Sequence, residues 1–250
     1  MDILSVVGIV LAFLAVLGGN FLEGGTLSAL LNFPAAFIVI GGTLAAGALQ
    51  TSGDVFKRAL SRLYAVFFAP TIPVDEMQAV VIEWTNVARR EGLLGLENVA
   101  DEERDPYLAR ALNLIIDGSS SQHIRHQLEL ESHLIEHDDI DAAKVYESMG
   151  GYAPTIGIIG AVMGLIQVMG NLRDPSLLGS GIALAFVATI YGVALANLFL
   201  LPVASKLRFR AKREALLRQM IIDGACAIFE GDSVRTIKSK LSAYQRALGA

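Results

Sequence analysis

Charged and histidine side chains are absent from the four most apolar stretches of this 250-residue chain. The stretches cover residues 3–19, 27–49, 153–171 and 177–203, and none of them contains Asp, Glu, Lys, Arg or His. Proton and ion relays inside membranes are built from such groups, which are rarely present there without a function. Either the chain moves no ion, or a partner supplies the titratable carboxylate.

Signatures of enzymatic chemistry are also missing. The sequence has no P-loop, no GxSxG nucleophile motif and no HExxH metal motif. A net charge of −5, without a basic patch interleaved with aromatics, gives no reason to expect nucleic acid as a partner. The single cysteine, Cys226, excludes an internal disulfide, and we interpret it as a small buried hydrophobe rather than a reactive thiol. We therefore expect neither an enzyme nor a bound cofactor.

The four histidines are the only candidate metal ligands, and all lie in one charged segment. His133 and His137 are four residues apart, as metal ligands on a helix can be. Glu129, Glu131 and Glu136 surround them, and no cysteine is nearby. We therefore favour a solvated polar face over a metal site. The other two histidines are His123 and His126.

Composition predicts an integral membrane protein. The chain is 53% hydrophobic and 18% charged, with a mean hydropathy of +0.51. A helix needs about 20 apolar residues to cross a bilayer, and four segments meet that requirement. We predict an all-α fold with four transmembrane helices, a helical cytoplasmic domain and a cytoplasmic C-terminal tail. The predicted domains are 1–50 (spans 1 and 2), 51–152 (cytoplasmic), 153–204 (spans 3 and 4) and 205–250 (tail).

Lysine and arginine set the predicted orientation. The short loops at 20–26 and 171–177 contain only Arg173 between them, whereas basic residues follow the second and fourth spans at once. The positive-inside rule then places both termini and residues 50–150 in the cytoplasm.

The stretch 151–207 is the predicted working part, because it forms a helical hairpin closed by a polar turn at Asn171–Pro175. Its first helix is lined by small residues that would allow backbone-to-backbone packing against a neighbour. These residues are Gly157, Gly160, Ala161 and Gly164.

Several short motifs together resemble a known family. They are RREGLLGLE at 89–97, IDG at 116–118, APTIGIIG at 153–160, TIYG at 189–192 and Pro202. The chain resembles the A subunit of the bacterial flagellar stator, the MotA/PomA family, including the paralogue sometimes called MotC. The resemblance covers essentially the whole chain.

The resemblance implies a multi-pass protein of the bacterial inner membrane that converts ion flow into torque. The family works with a MotB-like single-span B subunit, whose membrane Asp binds the coupling ion and which anchors to peptidoglycan. That would explain the missing carboxylate here. The resemblance also implies a complex of five A chains around two B chains. In such a complex the ring of A chains pushes the rotor protein FliG.

The resemblance also implies roles for individual residues. Arg89 and Glu97 match a charged pair that engages the rotor, although without the family they would be ordinary surface charges. Pro154 and Pro202 match prolines that couple ion binding to movement of the cytoplasmic block. Pro202 cannot donate to the carbonyl of Leu198, so the helix can flex there. Pro154 has the simpler alternative of starting its helix.

Comparison within the family favours H⁺ over Na⁺ as the coupling ion. In the family that this chain resembles, sodium-type members have hydroxyl side chains at two facing positions, one on the third span and one on the fourth. In this sequence those places match Ala161 and Thr189, so one hydroxyl remains. A bare Na⁺ requires several oxygen ligands, whereas a proton needs one acceptor. Alternatively, Thr189 bonds only to its own helix.

Two other classes remain open at this point. The related ExbB/TolQ energisers resemble three-span chains, and the extra span at 27–49 and the stretch around Arg89 and Glu97 argue against them. A passive membrane scaffold or solute transporter is the other alternative. Transporters often contain internal repeats, and none is visible here.

Overall fold

The computed structural model describes residues 3–68, 73–171 and 175–248, and all regular structure within them is helical. This agrees with the predicted all-α class. The centre of the predicted polar turn, including Arg173, lies outside the described residues. Twelve α-helices occur in the described ranges: α1 Ile3–Leu22, α2 Leu27–Leu30, α3 Phe33–Ala36, α4 Gly42–Gln50, α5 Gly53–Phe68, α6 Val74–Glu91, α7 Glu97–Glu102, α8 Pro106–Ile116, α9 Ser121–Gly170, α10 Pro175–Ala194, α11 Leu201–Phe229 and α12 Val234–Leu248.

Two π-helical segments interrupt this series, where the backbone bonds reach one residue further than in an α-helix. The first, Phe37–Gly41, joins α3 to α4, and the second, Leu195–Leu200, joins α10 to α11. Such segments are rare and are frequent at functional sites. A short 3₁₀ turn, Leu93–Leu96, connects α6 to α7.

Three described helices are long and apolar enough to cross a membrane. They are Phe33–Gln50, Ser121–Gly170 and Leu178–Phe229. A shorter apolar helix, Val6–Leu22, lies within α1. The chain therefore has the helices of a multi-pass protein, and the count of four spans stays a prediction.

The second predicted span starts later than the sequence indicated. The prediction began it at residue 27 and placed Pro34 inside it. In the structure Leu31 and Asn32 are extended, and the continuous helix begins at Phe33. The Asn32 side chain accepts a hydrogen bond from the Ala35 N–H at 3.0 Å, as an N-cap residue does. Pro34 then lies in the first turn, where its missing N–H leaves no bond unmade.

The third predicted span is not a separate helix. Pro154 lies inside α9, which runs without a break from Ser121 to Gly170. The alternative in which Pro154 simply starts a helix is therefore wrong. A proline inside a helix leaves the carbonyl four residues earlier, here that of Gly150, without its usual partner.

The chain divides into two compact units, to which α9 and α11 each contribute residues. One unit comprises Met1–Pro70 and Asp139–Arg208, and the other Thr71–Asp138 and Phe209–Ala250. We call them the apolar-helix unit and the charged unit.

In the apolar-helix unit, α9 and α10 pack backbone against backbone. A Cβ placed on Gly157 would lie 2.8 Å from the Ala188 carbonyl oxygen, and one on Gly164 would lie 2.6 Å from the Gly181 carbonyl oxygen. Gly192 is as tightly placed, since its Cβ would lie 2.5 Å from the Ala153 carbonyl oxygen. The predicted small-residue stripe is therefore the seam between the two helices, as the spacing indicated.

The charged unit has its own hydrophobic core, contributed by α6, α8, α9, α11 and α12. Trp84 is 1% exposed at its centre, and Asp105 caps α8 through the Tyr107 N–H at 2.8 Å. Arg125 donates to Asp223 at 2.8 Å, and this bond raises the pKa of the guanidinium. Cys226 is buried in this core, and burial raises the pKa of its thiol, as expected of a structural cysteine.

Replacing Gly164 by Ala tests the α9–α10 seam. The new methyl group would meet backbone atoms of Gly181 and Ala185, which cannot move aside like a side-chain end. We expect a loss of about 1–3 kcal/mol, typical of an overpacked interior. The measurement is thermal denaturation of the detergent-purified protein, with Gly19→Ala as the control because a Cβ there meets nothing within 4 Å. Equal melting temperatures for the two variants would contradict the seam.

Candidate functional site

The two residues of the predicted ion pathway lie along the α9–α10 seam. The Cα of Thr189 would be 3.5 Å from a Cβ on Gly157. Ala161 is half-buried and follows Gly157 by one helical turn, so it lies on the same side of α9. The structure thus brings both positions to one seam, and their role in conduction stays a prediction.

The Thr189 hydroxyl is half-buried and already donates a hydrogen bond. Its acceptor is the Ala185 carbonyl of its own helix, at 3.1 Å. The one hydroxyl proton is therefore used within the helix, while the oxygen keeps lone pairs that can accept. Thr189 is thus arranged to receive a proton donor from outside the helix.

Tyr191 has a separate task, two residues further along α10. Its hydroxyl donates to the Leu30 carbonyl and accepts from the Asn32 N–H at 3.4 Å. These bonds join α10 to the point where the second apolar helix begins. No local pattern in the sequence signals this partner.

Pro202 is the second residue of α11 and lies two residues beyond the end of the second π-helical segment. The ring of Pro202 is exposed, and a cavity of about 260 Å³ lies beside it. Residues of α1, α5 and the α10–α11 region line this cavity, among them Gly8, Phe67, Asn197 and Lys206. A helix with a missing hydrogen bond and open space at its side can bend at low cost.

The helices α9 and α11, which contain Pro154 and Pro202, contact each other close to the places where these prolines remove backbone hydrogen bonds. Pro154 frees the carbonyl of Gly150, and a Cβ placed on Gly150 would lie 2.6 Å from the Leu201 side chain. Leu201 immediately precedes Pro202. Each proline therefore lies within about one turn of the same contact between α9 and α11, and their coupling role stays a prediction.

Arg89 and Glu97 lie on either side of a tight turn in the charged unit. Gly92 ends α6 with φ of +80° and ψ of 177°, a conformation open almost only to glycine. Both charged side chains are exposed, and neither makes an ion pair with another described residue. Leu94, between them, is 67% exposed. The turn presents two opposite charges and one apolar side chain to solvent.

All four histidines of α9 are exposed on the surface of the charged unit. Within the described residues, no group of three or more His, Cys, Asp or Glu side chains is arranged to hold a metal ion. That these histidines form a solvated face rather than a metal site stays a prediction.

These features define a class: an all-helical, multi-pass membrane protein with a small-residue helical hairpin and a separate charged unit. Sequence comparison gives the family. The model described as the MotA/TolQ/ExbB proton channel family matches residues 99–220, and the one described as Motility protein A N-terminal matches residues 6–92.

Individual relatives match over nearly the full chain. Motility protein A of Bacillus subtilis is 35% identical, with 98% of this chain and 91% of that protein covered. Chemotaxis protein PomA of Vibrio alginolyticus is 30% identical, with coverages of 98% and 95%.

Solved structures agree. The structure described as C. jejuni MotAB matches with a TM-score of 0.92 and 29% identity, covering 98% of this chain and 96% of that one. The flagellar MotAB stator complex from Bacillus subtilis matches with a TM-score of 0.87 and 34% identity, covering 96% and 95%.

The chain belongs to the MotA/PomA family and is a stator subunit of the bacterial flagellar motor. It is a motor and channel component of the inner membrane and not an enzyme. The match to the motility-specific N-terminal model decides against an ExbB/TolQ-like energiser, and full-length similarity to stator subunits decides against a passive scaffold or transporter.

Proposed function

We propose that this stator subunit conducts protons at the α9–α10 seam together with a single-span B subunit, and that the proline-interrupted helices convert conduction into force on the rotor. The observation that carries the proposal is the seam itself. It offers one inward hydroxyl, Thr189, and no charged group anywhere in its apolar part. The ion-binding carboxylate must then come from another chain.

The B subunit is the expected source of that carboxylate. Both solved relatives are described as MotAB complexes, which supports a MotB-like partner and an oligomeric assembly. Large apolar side chains on the membrane part of α9 are about half-exposed, including Ile158, Val162 and Ile166. Such a surface fits further helices. Five A chains around two B chains is the arrangement we propose, following the family.

We further propose that both termini and the charged unit are cytoplasmic. Lys57 and Arg58 follow the second apolar helix closely, and five basic residues lie between Lys206 and Arg213. This distribution supports four spans under the positive-inside rule.

Cysteine accessibility tests this topology. Glu23 and Ser120 are both exposed. We would place Glu23→Cys and Ser120→Cys separately in a Cys226→Ala background, which removes the native thiol. A membrane-impermeant maleimide added to intact spheroplasts should label position 23 and not position 120. After permeabilisation, both should react, and labelling of both from outside would overturn the topology.

Arg89 and Glu97 are proposed to engage complementary charges on FliG. Their exposure and lack of ion pairs among the described residues support a role towards a partner rather than in folding. An electrostatic contact of this kind affects recognition more than the stability of either protein.

Reversing the charge at Arg89 separates these two roles. Arg89→Glu should abolish or strongly reduce motility, while the melting temperature of the purified complex stays close to wild type, because exposed substitutions usually alter stability by less than about 0.5 kcal/mol. Arg90→Glu, the neighbouring exposed residue, is the matched control. A complex that fails to assemble would show that Arg89 is structural. Partial rescue by an opposite charge reversal on the rotor would support direct contact.

The coupling ion is proposed to be H⁺. The Thr189 O–H already donates its hydrogen bond to the Ala185 carbonyl, so its oxygen is free to accept one. A protonated carboxyl is a suitable donor for that oxygen. Ala161 contributes no oxygen at the matching place on α9. A dehydrated Na⁺ would need several ligands that the two side chains do not provide.

Motor activity under controlled ion gradients checks this choice. With its own B partner, the stator should work in sodium-free medium and stop when a protonophore is added. Thr189→Val, which keeps the shape and loses the hydroxyl, should lower conductance roughly 2- to 10-fold, as expected for one hydrogen bond of about 0.5–1.5 kcal/mol. Thr189→Ser should retain most activity. Strict dependence on external Na⁺ with indifference to protonophore would refute the proposal.

A further inference from the structure

A second cavity in the apolar-helix unit has a volume of about 180 Å³. Its walls come from α4, α5, α9 and the second π-helical segment, and Ile40 adds a residue of the first π-helical segment. Almost all of the lining is apolar. The side chains used below are Thr43, Leu44, Leu60, Leu63, Tyr146 and Met149.

Thr43 is the unusual member of this lining. It is fully buried, yet its hydroxyl has no hydrogen-bond partner. Thr85 and Thr189, elsewhere in the chain, each donate to the carbonyl four residues earlier. For Thr43 that carbonyl belongs to Val39, inside a π-helical segment, where it accepts from the Gly42 N–H. A buried hydroxyl without an acceptor indicates a missing group.

Water does not fit as that group. A stable buried water needs two to four polar partners. The only other polar side chain in the lining, Tyr146, already donates to the Ala59 carbonyl at 2.8 Å. The missing acceptor must therefore belong to a molecule that is otherwise apolar.

The mouth of the cavity is apolar as well. Ile40, Leu44 and Leu60 line it and are 48%, 43% and 52% exposed. In a membrane protein, exposed apolar residues of this kind face lipid chains. A hydrocarbon chain from the bilayer can thus enter without crossing a polar barrier.

Helix α5 adds features suited to a lipid head group. Lys57 is exposed and precedes Leu60 by one turn, so the two residues share a face of α5. Further along the same face, the exposed rings of Tyr64 and Phe68 stack with centroids 4.7 Å apart. Aromatic and basic side chains together are typical of the zone where glycerol and phosphate groups lie.

We propose that this cavity binds one phospholipid, with an acyl chain inside it, an ester carbonyl accepting from Thr43, and the phosphate close to Lys57. The lipid would contact the second π-helical segment, which leads to Pro202. It is a bound component of the stator subunit rather than a passing neighbour.

Photolabelling tests the site in the assembled complex. The probe is an anionic phospholipid with a diazirine in its acyl chain, incorporated into membranes that contain the stator complex. Tyr146 and Met149 are only 3% and 5% exposed, so a freely diffusing surface lipid does not reach them. We expect adducts on the peptide containing these two residues. Adducts confined to outward positions such as Leu14, which is 62% exposed, would overturn the proposal.

Matched variants then test whether the acyl chain of the lipid lies in this cavity. Leu63→Trp should fill the cavity and reduce labelling of Met149 to background, whereas Leu14→Trp, on α1 and outside the cavity, should leave it unchanged. Thr43→Val should lower labelling about twofold to tenfold, and Thr43→Ser should preserve it. If Leu63→Trp does not assemble, the Val and Ser pair at Thr43 decides alone, and equal labelling in that pair overturns the role of the hydroxyl.

A second copy of the chain is the competing occupant. A photoreactive phenylalanine in place of Leu44 should then crosslink two copies on irradiation, whichever residue of the second copy faces the cavity, and this result would overturn the lipid site. Absence of that crosslink, together with labelled Met149, supports it.

Discussion

The close approach of α9 and α10 is the constraint on which the rest of the apolar-helix unit depends. Glycines at 157, 164 and 192 bring backbone atoms so near that no side chain fits between them. In lipid, a helix–helix contact has no hydrophobic advantage over a helix–lipid contact. Close packing of this kind is therefore what holds a hairpin together. The contact positions 157, 164 and 192 therefore accept no side chain larger than that of glycine without displacement of the neighbouring helix.

The absence of charged side chains from the apolar stretches of α9 and α10 is the starting point of the proposed conduction. In that proposal the titratable group belongs to the partner, and this subunit contributes only oriented oxygens, such as that of Thr189. Because the hydroxyl proton of Thr189 is held by Ala185, the oxygen faces an incoming group as an acceptor. In the proposed mechanism, protonation or deprotonation of the partner's carboxyl makes or breaks one hydrogen bond to the Thr189 oxygen.

Much of this could be predicted from sequence because it depends on composition and spacing. The helical class, the small-residue seam, the Asp105 cap and the buried Cys226 all follow from local patterns. The start of the second apolar helix did not, since hydropathy continues through Leu27–Leu30 and only the Asn32 cap and Pro34 mark the true beginning. The Tyr191 bonds to Leu30 and Asn32 and the π-helical segments depend on tertiary contacts that no local pattern encodes.

Pro154 shows best why local rules were insufficient. Proline favours helix starts, and the sequence alone left that possibility open. The structure places it in the interior of α9, where it frees the Gly150 carbonyl beside Leu201. Pro202, the residue after Leu201, leaves the carbonyl of Leu198 without its usual partner, in a helix that already contains a π-helical segment. The Leu201 side chain lies so close to Gly150 that not even a methyl group fits between them, so the two weakened helices touch beside their prolines. In the proposed mechanism, a displacement that begins at the seam is shared by both helices, and this shared bending transmits a change at Thr189 along α9 and α11.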